Sequence, residues 1–227
     1  MLKNLIKLFY PTICLGCSNK LSNHENLICL KCRHELPLTS HLEEKRNEAY
    51  KKFDGKVNVE HVSSMTYYHK QGIVQSLIHN LKYKNEQEIG TFLGYWYADL
   101  LNESKEIDSV DYIIPVPLHP KRLKERGYNQ IETFCKALSD TLNKPHEKNL
   151  LVRNQYASTQ SKKGLIDRNK VNSTTFECVN TGEFHNKHFL LVDDVLTTGA
   201  TLEACAKALL KIPNTKISIV TIAFSQS

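Results

Sequence analysis

Two adjacent aspartates, Asp193 and Asp194, come directly after an apolar run and just before a short segment rich in threonine. The apolar run predicts a buried strand, and the segment predicts a loop that leads into a helix. Carboxylates accept hydrogen bonds from sugar hydroxyls, whereas backbone N–H groups at a helix start attract phosphate. We therefore expect a ribose 5-phosphate site with the sugar on the two aspartates. The phosphate is expected on Thr197, Thr198, Gly199, Ala200 and Thr201.

Other patterns for binding phosphate are absent from the sequence. The chain contains neither the Walker A string G-x-x-x-x-G-K-[ST] nor the Rossmann string G-x-G-x-x-G. An acidic pair after a strand binds a metal ion directly in many phosphatases, and the residues alone leave that alternative open.

Four cysteines near the N-terminus have the spacing of metal ligands. Cys14 and Cys17 form one C-x-x-C pair, and Cys29 and Cys32 form a second one. Two such turns facing each other supply the four thiolates of a tetrahedral zinc site. The gap between the pairs is shorter than in most zinc ribbons, and the alternative is two thiol pairs without metal. We expect structural zinc, because so short a segment cannot bury a core without a staple.

The composition is that of a globular protein. Of the 227 residues, 41% are hydrophobic and 24% are charged, which argues against a disordered, collagen-like or low-complexity chain. No apolar run approaches the ~20 residues of a membrane span. Residues 1–10 favour a short amphipathic helix over a signal peptide. We therefore expect a cytoplasmic protein with no membrane contact.

The positive charge is concentrated in one part of the chain. The net charge is +6, and residues 111–170 alone carry the same excess. A basic zone suits an anionic ligand such as a phosphate or a nucleic acid, although a solvated surface explains it equally well.

Alternating strand and helix patterns must position these groups. Strands are predicted at 61–68, 112–116, 187–194 and 216–224, and helices at 73–81, 89–102, 128–143 and 201–211. The alternation predicts an α/β fold with a mostly parallel sheet and flanking helices. We divide the chain into a zinc-binding module (1–37), a polar linker or exposed helix (38–60) and a main domain (61–227). Residues 153–175 are expected to form a long loop.

The motif at 192–201, VDDVLTTGAT, resembles the signature of type I phosphoribosyltransferases, which bind 5-phosphoribosyl 1-pyrophosphate (PRPP). Together with the paired cysteines it resembles the ComF family of competence-associated phosphoribosyltransferase-like proteins. Further matches are the strings starting at Pro115 and Arg126, the spaced residues from Arg153 to Asn169, and Lys82 with Tyr83. The resemblance extends from about Phe9 to the C-terminus.

The resemblance implies further parts of a PRPP site. The pyrophosphate would lie near the loop after an earlier strand, and Mg²⁺ would bridge the pyrophosphate and ribose oxygens. The implied pyrophosphate residues are Val116, Pro117, Leu118, Arg126 and Arg153. Either arginine could instead form a surface salt bridge. An acceptor base would meet residues 61–100, where Tyr67, Tyr68, Tyr83 and Trp96 are candidates for stacking.

Two functions follow from the resemblance. The first is a PRPP-binding protein of natural competence that handles incoming single-stranded DNA. Its DNA contacts would be Lys121, Arg122 and Lys124, with a second basic group at Lys162, Lys163, Arg168 and Lys170, and a competence helicase is a further candidate partner. The second is a true phosphoribosyltransferase of nucleotide salvage or synthesis, in which a nitrogen acceptor displaces pyrophosphate. No residue stands out as a general base.

Overall fold

A four-stranded parallel sheet forms the centre of the protein. The structure, a computed structural model, describes residues 11–153 and 175–226. Its strands are β1 (His61–Tyr67), β2 (Tyr112–Pro115), β3 (Leu151–Arg153), β4 (Phe176–Cys178), β5 (His188–Leu196) and β6 (Lys216–Phe224). The parallel sheet has the order β1-β6-β5-β2, while β3 and β4 form a separate antiparallel pair. The predicted α/β class with a parallel sheet is confirmed.

Helices connect the strands and cover the sheet. They are α1 (Leu30–His34), α2 (Glu48–Lys51), α3 (Ile73–Tyr83), α4 (Glu88–Ser104), α5 (Pro120–Arg126), α6 (Glu132–Leu142) and α7 (Ala200–Leu209). A short 3₁₀ turn, Thr181–Glu183, precedes β5. All four predicted helices and all four predicted strands are present, whereas α5 and the β3–β4 pair were not predicted.

Both faces of the central strands are buried. Along β5, Leu190 and Val192 belong to a core with α3, α4 and α6, whereas Phe189 and Leu191 belong to a core with α7. All four side chains are fully buried. Each such side chain contributes about 1.5–3 kcal/mol of hydrophobic free energy, so this strand is firmly held. The rigid strand presents its last residues, Asp193 to Leu196, at the carboxyl edge of the sheet.

Helices α4 and α6 pack closely because a glycine stands at their crossing. A Cβ atom on Gly94 would lie 2.8 Å from the carbonyl oxygen of Phe134, closer than real Cβ contacts allow. The glycine therefore lets the two backbones approach each other. This contact holds α6 against the helical layer that also contains α3.

Residues 38–60 contain side chains that pack in the core. Ala49 and Phe53 are buried in the core with α7, and the side chain of Asn47 donates 2.8 Å hydrogen bonds to the carbonyl oxygens of His41 and Val62. The segment is thus anchored to the core at these residues, while most of its other side chains are exposed. A few apolar side chains and one satisfied amide suffice to dock a polar segment. The division of the chain into three parts stays a prediction.

Three predicted features lie outside the described residues. They are the amphipathic helix at 1–10, most of the loop at 153–175, and the second basic group, Lys162, Lys163, Arg168 and Lys170. Among the helices that the structure describes, none combines the length and the apolar character needed to cross a membrane.

Candidate functional site

The segment between β5 and α7 has the geometry of an anion-binding loop. Gly199 has φ +81°, a left-handed conformation that disfavours side chains, and it precedes the first residue of α7. The N-cap residue, Gly199, has no side chain to cap this helix, and Thr198 Oγ1 accepts only a long 3.4 Å hydrogen bond from the N–H of Ala200, so the first backbone N–H groups can bind an external acceptor. Thr197 and Thr198 are exposed beside them. Asp193 and residues 195–202 line a cavity of about 50 Å³ here, which brings all five predicted phosphate residues together.

Phe53, which belongs to the segment 38–60, packs against this loop. The ring of Phe53 lies so close to Gly199 that a Cβ atom there would be 3.4 Å from Cζ. Phe53 follows α2 and is fully buried. Its ring therefore packs behind the turn at ordinary van der Waals distance, and the left-handed backbone at 199 would strain any residue other than glycine.

The two aspartates have different surroundings. Asp194 is buried, and its two carboxylate oxygens accept hydrogen bonds from Lys82 Nζ at 2.8 Å and from Gln130 Nε2 at 2.6 Å. Asp193 is half-buried, and one of its oxygens accepts a 2.8 Å hydrogen bond from the N–H of Asp194. The predicted pair of sugar-binding carboxylates is thus unequal, because one member is already held by protein side chains.

Burial controls the protonation of Asp193. Burial raises the pKa of this carboxyl group most, and the negative charge of Asp194 adds to the rise. The Asp194 N–H and the charges of Lys82 and Arg153 oppose it, and the net pKa is about 7. A hydroxyl donates best to an ionised carboxylate. The site is therefore sensitive to pH near neutrality.

The loop after β2 lies beside the acidic residues, as the resemblance implied. The N–H of Val116 donates to the carbonyl oxygen of Val192, one residue before Asp193, at 2.8 Å. Pro117 and Leu118 follow and are half-buried. The backbone at Val116 is additionally held by Asn129, whose amide donates to its carbonyl oxygen at 3.1 Å.

The two predicted arginines occupy different places. Arg126 stacks on the ring of Tyr83 at 4.9 Å and donates a 2.7 Å hydrogen bond to Gln130, so its route to Asp194 is indirect. Arg153 is half-buried on β3, over the ring of Phe176, and its charge lowers the pKa of Asp193. Neither has an ion-pair partner among the described residues, and their role with pyrophosphate stays a prediction.

A larger cavity of about 330 Å³ adjoins the loop between β5 and α7. It lies between α3 and the ends of β5 and β6. Its lining residues are Tyr68, Gln75, Ile78, His79, Lys82, Tyr83, Val195, Thr197 and Ser225. Of the aromatic candidates for stacking, Tyr68 and Tyr83 lie here. Trp96 packs against Phe92 and Arg33 instead.

The four cysteines converge on one point. Their sulfur atoms all lie within 4.8 Å of one another, and Cys17 Sγ and Cys29 Sγ are 3.7 Å apart. Four sulfurs at the Zn–S distance of ~2.3 Å would be separated by about 3.8 Å in a tetrahedron. The cluster therefore fits a metal ion of this size. The nearby histidines in the sequence, His24 and His34, are not part of it.

Backbone N–H groups favour the thiolate form of Cys14, whereas burial and the neighbouring cysteines raise the pKa of Cys32. The N–H groups of Gly16 and Cys29 approach Cys14 Sγ at 3.4 and 3.3 Å, and that of Cys32 approaches Cys29 Sγ at 3.4 Å. Burial raises the pKa of Cys14, but these N–H groups outweigh it and lower the pKa to about 7. Thiolates are the form that binds metal.

The predicted DNA residues lie together on the short helix α5. Lys121, Arg122 and Lys124 are exposed there. The only ion pair among them within the described residues is Lys121 with Glu125, at 3.9 Å, which is weak on an exposed helix. His119 caps the helix by accepting from the N–H of Lys121 at 3.2 Å.

Sequence reasoning did not assign a role to Lys82 or Gln130. Both contact Asp194, although Lys82 is 112 residues and Gln130 is 64 residues away from it in the sequence. Each lies inside a string that carried the family resemblance, namely LKYK and RGYNQ. Those strings were the available signal, although their residues gave no hint of a shared partner.

Comparison with known proteins agrees with this geometry. A family model described as phosphoribosyl transferase domain matches residues 133–227. Competence protein F of Haemophilus influenzae is 32% identical over 151 residues, covering 65% of this chain and 66% of that protein. DNA utilization protein YhgH of Shigella flexneri is 32% identical over 140 residues, covering 60% of each. The chain thus matches slightly less than two thirds of the length of these relatives.

A third relative is matched over more of its length. Competence protein ComFC of Bacillus subtilis is 26% identical over 203 residues, covering 88% of this chain and 78% of that protein. This match is long enough to include Cys29 and Cys32 as well as Asp193 and Asp194. These matches support the ComF family assignment that the sequence motifs predicted.

Proposed function

We propose that this protein binds PRPP at the carboxyl edge of the sheet and acts in the handling of incoming single-stranded DNA. The carrying observation is the loop at 197–201, where exposed threonines and a helix start with a glycine as N-cap adjoin Asp193. The 5-phosphate would accept from the loop N–H and hydroxyl groups, and the ribose hydroxyls would donate to the carboxylates.

The donor set suits a magnesium ion carried in with the ligand. Each oxygen of Asp194 already accepts one hydrogen bond, so this carboxylate has fewer lone pairs left for direct binding of a metal ion. Mg²⁺ keeps several waters and takes phosphate oxygens readily. When bound, it would supply charge stabilisation for the pyrophosphate, with Arg126 or Arg153 as additional cations.

Transferase activity is the second candidate, and the 330 Å³ cavity favours it. The cavity borders Thr197 and is lined by Tyr68 and Tyr83, so a planar acceptor could lie beside the ribose site. The chain's own residues would bind and orient both reactants and exclude water. A protein that only binds PRPP would show no turnover with any nitrogen acceptor.

DNA handling is proposed from the basic helix and from the relatives. Two relatives are named competence proteins and another a DNA utilization protein. Lys121, Arg122 and Lys124 give this chain exposed cations that suit a phosphate backbone. A helicase as partner and a cytoplasmic location remain proposals of the same kind.

We also propose that the four cysteines hold one structural zinc ion. The convergence of their sulfurs supports it. The ion would staple residues 11–37, a segment too short to bury a sufficient core of its own. It has no part in the chemistry at the sheet edge.

Thermal stabilisation by PRPP with Mg²⁺ tests the principal proposal. At a ligand concentration of ~100 Kd the gain is about 2.7 kcal/mol, which corresponds to a melting shift of roughly 5–10 °C. Asp193→Asn and Thr198→Ala should each reduce the shift, while Thr181→Ala, in the 3₁₀ turn, should keep it. Asp193 is the better target because changing Asp194 would leave Lys82 without its carboxylate. Equal shifts in all four proteins would overturn the proposal.

A further inference from the structure

Asp194 is held by two side chains from different parts of the fold. Lys82 comes from the last turn of α3, and Gln130 comes from the turn just before α6. The lysine pairs with Oδ1 at 2.8 Å, and the glutamine amide pairs with Oδ2 at 2.6 Å. Both Gln130 and Asp194 are buried.

A third residue orients the glutamine amide. Arg126 donates to Gln130 Oε1 at 2.7 Å. A guanidinium has donors only, so the amide oxygen must face Arg126 and the NH₂ group must face Asp194. The orientation of the Gln130 amide is therefore determined by its neighbours. The hydrogen-bond network Arg126–Gln130–Asp194–Lys82 has one consistent set of donors and acceptors.

The carboxylate keeps capacity for a ligand in this arrangement. An ionised carboxylate has about four lone-pair sites, of which Lys82 and Gln130 use two. The remaining sites lie on a group whose rotation is blocked on both sides. A carboxylate held in this way loses less conformational entropy when a ligand hydroxyl binds.

We propose that Lys82 and Gln130 are positioning residues that set the orientation of Asp194 for the hydroxyl groups of a ribose ligand. This inference rests on the proposed function, since it concerns the same site. Lys82 has a second connection to ligand binding because it also lines the 330 Å³ cavity. The ion pair thus joins α3, the helical wall of that cavity, to the sheet edge that carries the aspartates.

The test compares two ligands that differ in a single hydroxyl group, ribose 5-phosphate and 2-deoxyribose 5-phosphate. Kd is measured for both by calorimetry with wild type, Lys82→Met, Lys82→Arg and Gln130→Met. Lys84→Met, in the exposed cap position of α3, is the matched control. We expect Lys82→Met to reduce the preference for the ribose ligand about tenfold, the range of one hydrogen bond to a charged group. Lys82→Arg should restore most of the preference, and the control should keep it.

The outcomes separate this inference from the proposed function. A folded Lys82→Met protein that keeps the full preference overturns the inference, and so does an equal loss of affinity for both ligands, which a structural or purely electrostatic role would give. If Lys82→Met does not fold, Gln130→Met decides, with lost preference supporting the inference and retained preference overturning it. Failure of the wild type to bind either ligand would instead overturn the PRPP site itself.

Discussion

The side-chain amide of Asn80 donates a hydrogen bond to the carbonyl oxygen of Leu15 at 2.9 Å. Leu15 lies between Cys14 and Cys17, and Asn80 lies on α3, two residues before Lys82. One helix therefore contacts the first C-x-x-C turn through Asn80 and the carboxylate of Asp194 through Lys82. Apolar residues of the module, including Leu21 and Ile28, share a core with the same helix. The two sites that the sequence predicts separately are parts of one packed structure.

Replacing Asn80 by Ala should weaken the docking of the module. The change leaves the Leu15 carbonyl without its protein donor in a partly buried place, which costs about 1–3 kcal/mol. Urea denaturation measures the free energy of unfolding. Asn102→Ala, on the exposed side of α4, is the control and should change it by less than about 0.5 kcal/mol. Equal values for the two variants would mean that the contact contributes nothing to docking.

Removal of the metal should destabilise more than the module itself. The purified protein should contain about one equivalent of zinc, and Cys29→Ser should lose it, because three ligands no longer close the tetrahedron. The melting temperature of the whole chain should fall, since Cys14 and Cys32 are buried in the core shared with α3. Metal analysis and calorimetry provide the measurements.

A matched cysteine makes this test specific. Cys178→Ser changes a thiol that is not in the cluster, and it should leave the zinc content unchanged. Protein that folds and melts normally with no bound metal would contradict the zinc proposal. It would support the alternative of two thiol pairs.

Local patterns predicted the main elements of the fold well. The apolar run before Asp193 and the helical spacing around Leu77 and Leu138 are strong signals, because these residues are buried in the core. The loop at 197–201 was predictable as well, since its threonines and glycine are adjacent in sequence, whereas phosphate binding there stays a prediction. The four-cysteine cluster was predictable for the same reason, because the two cysteines of each pair are close in sequence.

Long-range contacts could not be predicted in this way. The pairing of Lys82 with Asp194 spans 112 residues, and nothing local marks a lysine on an amphipathic helix as the partner of a buried carboxylate. The packing of Phe53 behind Gly199 is a similar case, because its surroundings in the sequence are polar. Helix α5 was missed because seven residues of mostly charged character show no apolar period.

Stability should fall in acid because a buried histidine must take up a proton. His61 is 1% exposed, and burial lowers its pKa to about 4, with the positive charges of His41, His188 and Lys45 adding to the effect. The unfolded chain binds this proton near pH 6.5, so it binds more protons than the folded chain between pH 6.5 and 4. Above pH 6.5 this histidine does not reduce the free energy of unfolding. On acidification towards pH 4 the free energy of unfolding falls by up to about 3 kcal/mol.

A neutral replacement should flatten that dependence. His61→Gln keeps a polar group near Ser63, which hydrogen-bonds the native ring at 2.7 Å, and it does not titrate. The slope of unfolding free energy against pH between 4 and 6.5 should decrease by up to about 1.4 kcal/mol per pH unit. His185→Gln, at an exposed position, is the control. Parallel slopes for His61→Gln and wild type would show that His61 is not the group responsible.

Single-stranded DNA should bind through α5 with a strong dependence on salt. Lys121, Arg122 and Lys124 are exposed on this helix, and each phosphate contact contributes a slope of about −0.7 in log K against log salt. Replacing all three by Ala should therefore flatten the slope by about 2. The measurement is the Kd of a labelled oligonucleotide across a salt series, repeated with a second sequence, because backbone contacts bind different sequences nearly equally.

A second triple variant separates a DNA-binding surface from the general effect of net charge. Lys51, Lys136 and Lys211 are exposed at scattered positions, so replacing them by Ala removes the same charge without touching α5. This variant should keep most of the wild-type slope, and both triple variants should keep the melting shift with PRPP. Arg126 is left unchanged because it orients Gln130. Diffuse attraction depends on total charge, whereas direct phosphate contacts depend on position. Identical salt slopes for the two triple variants would therefore show that α5 does not contact DNA directly.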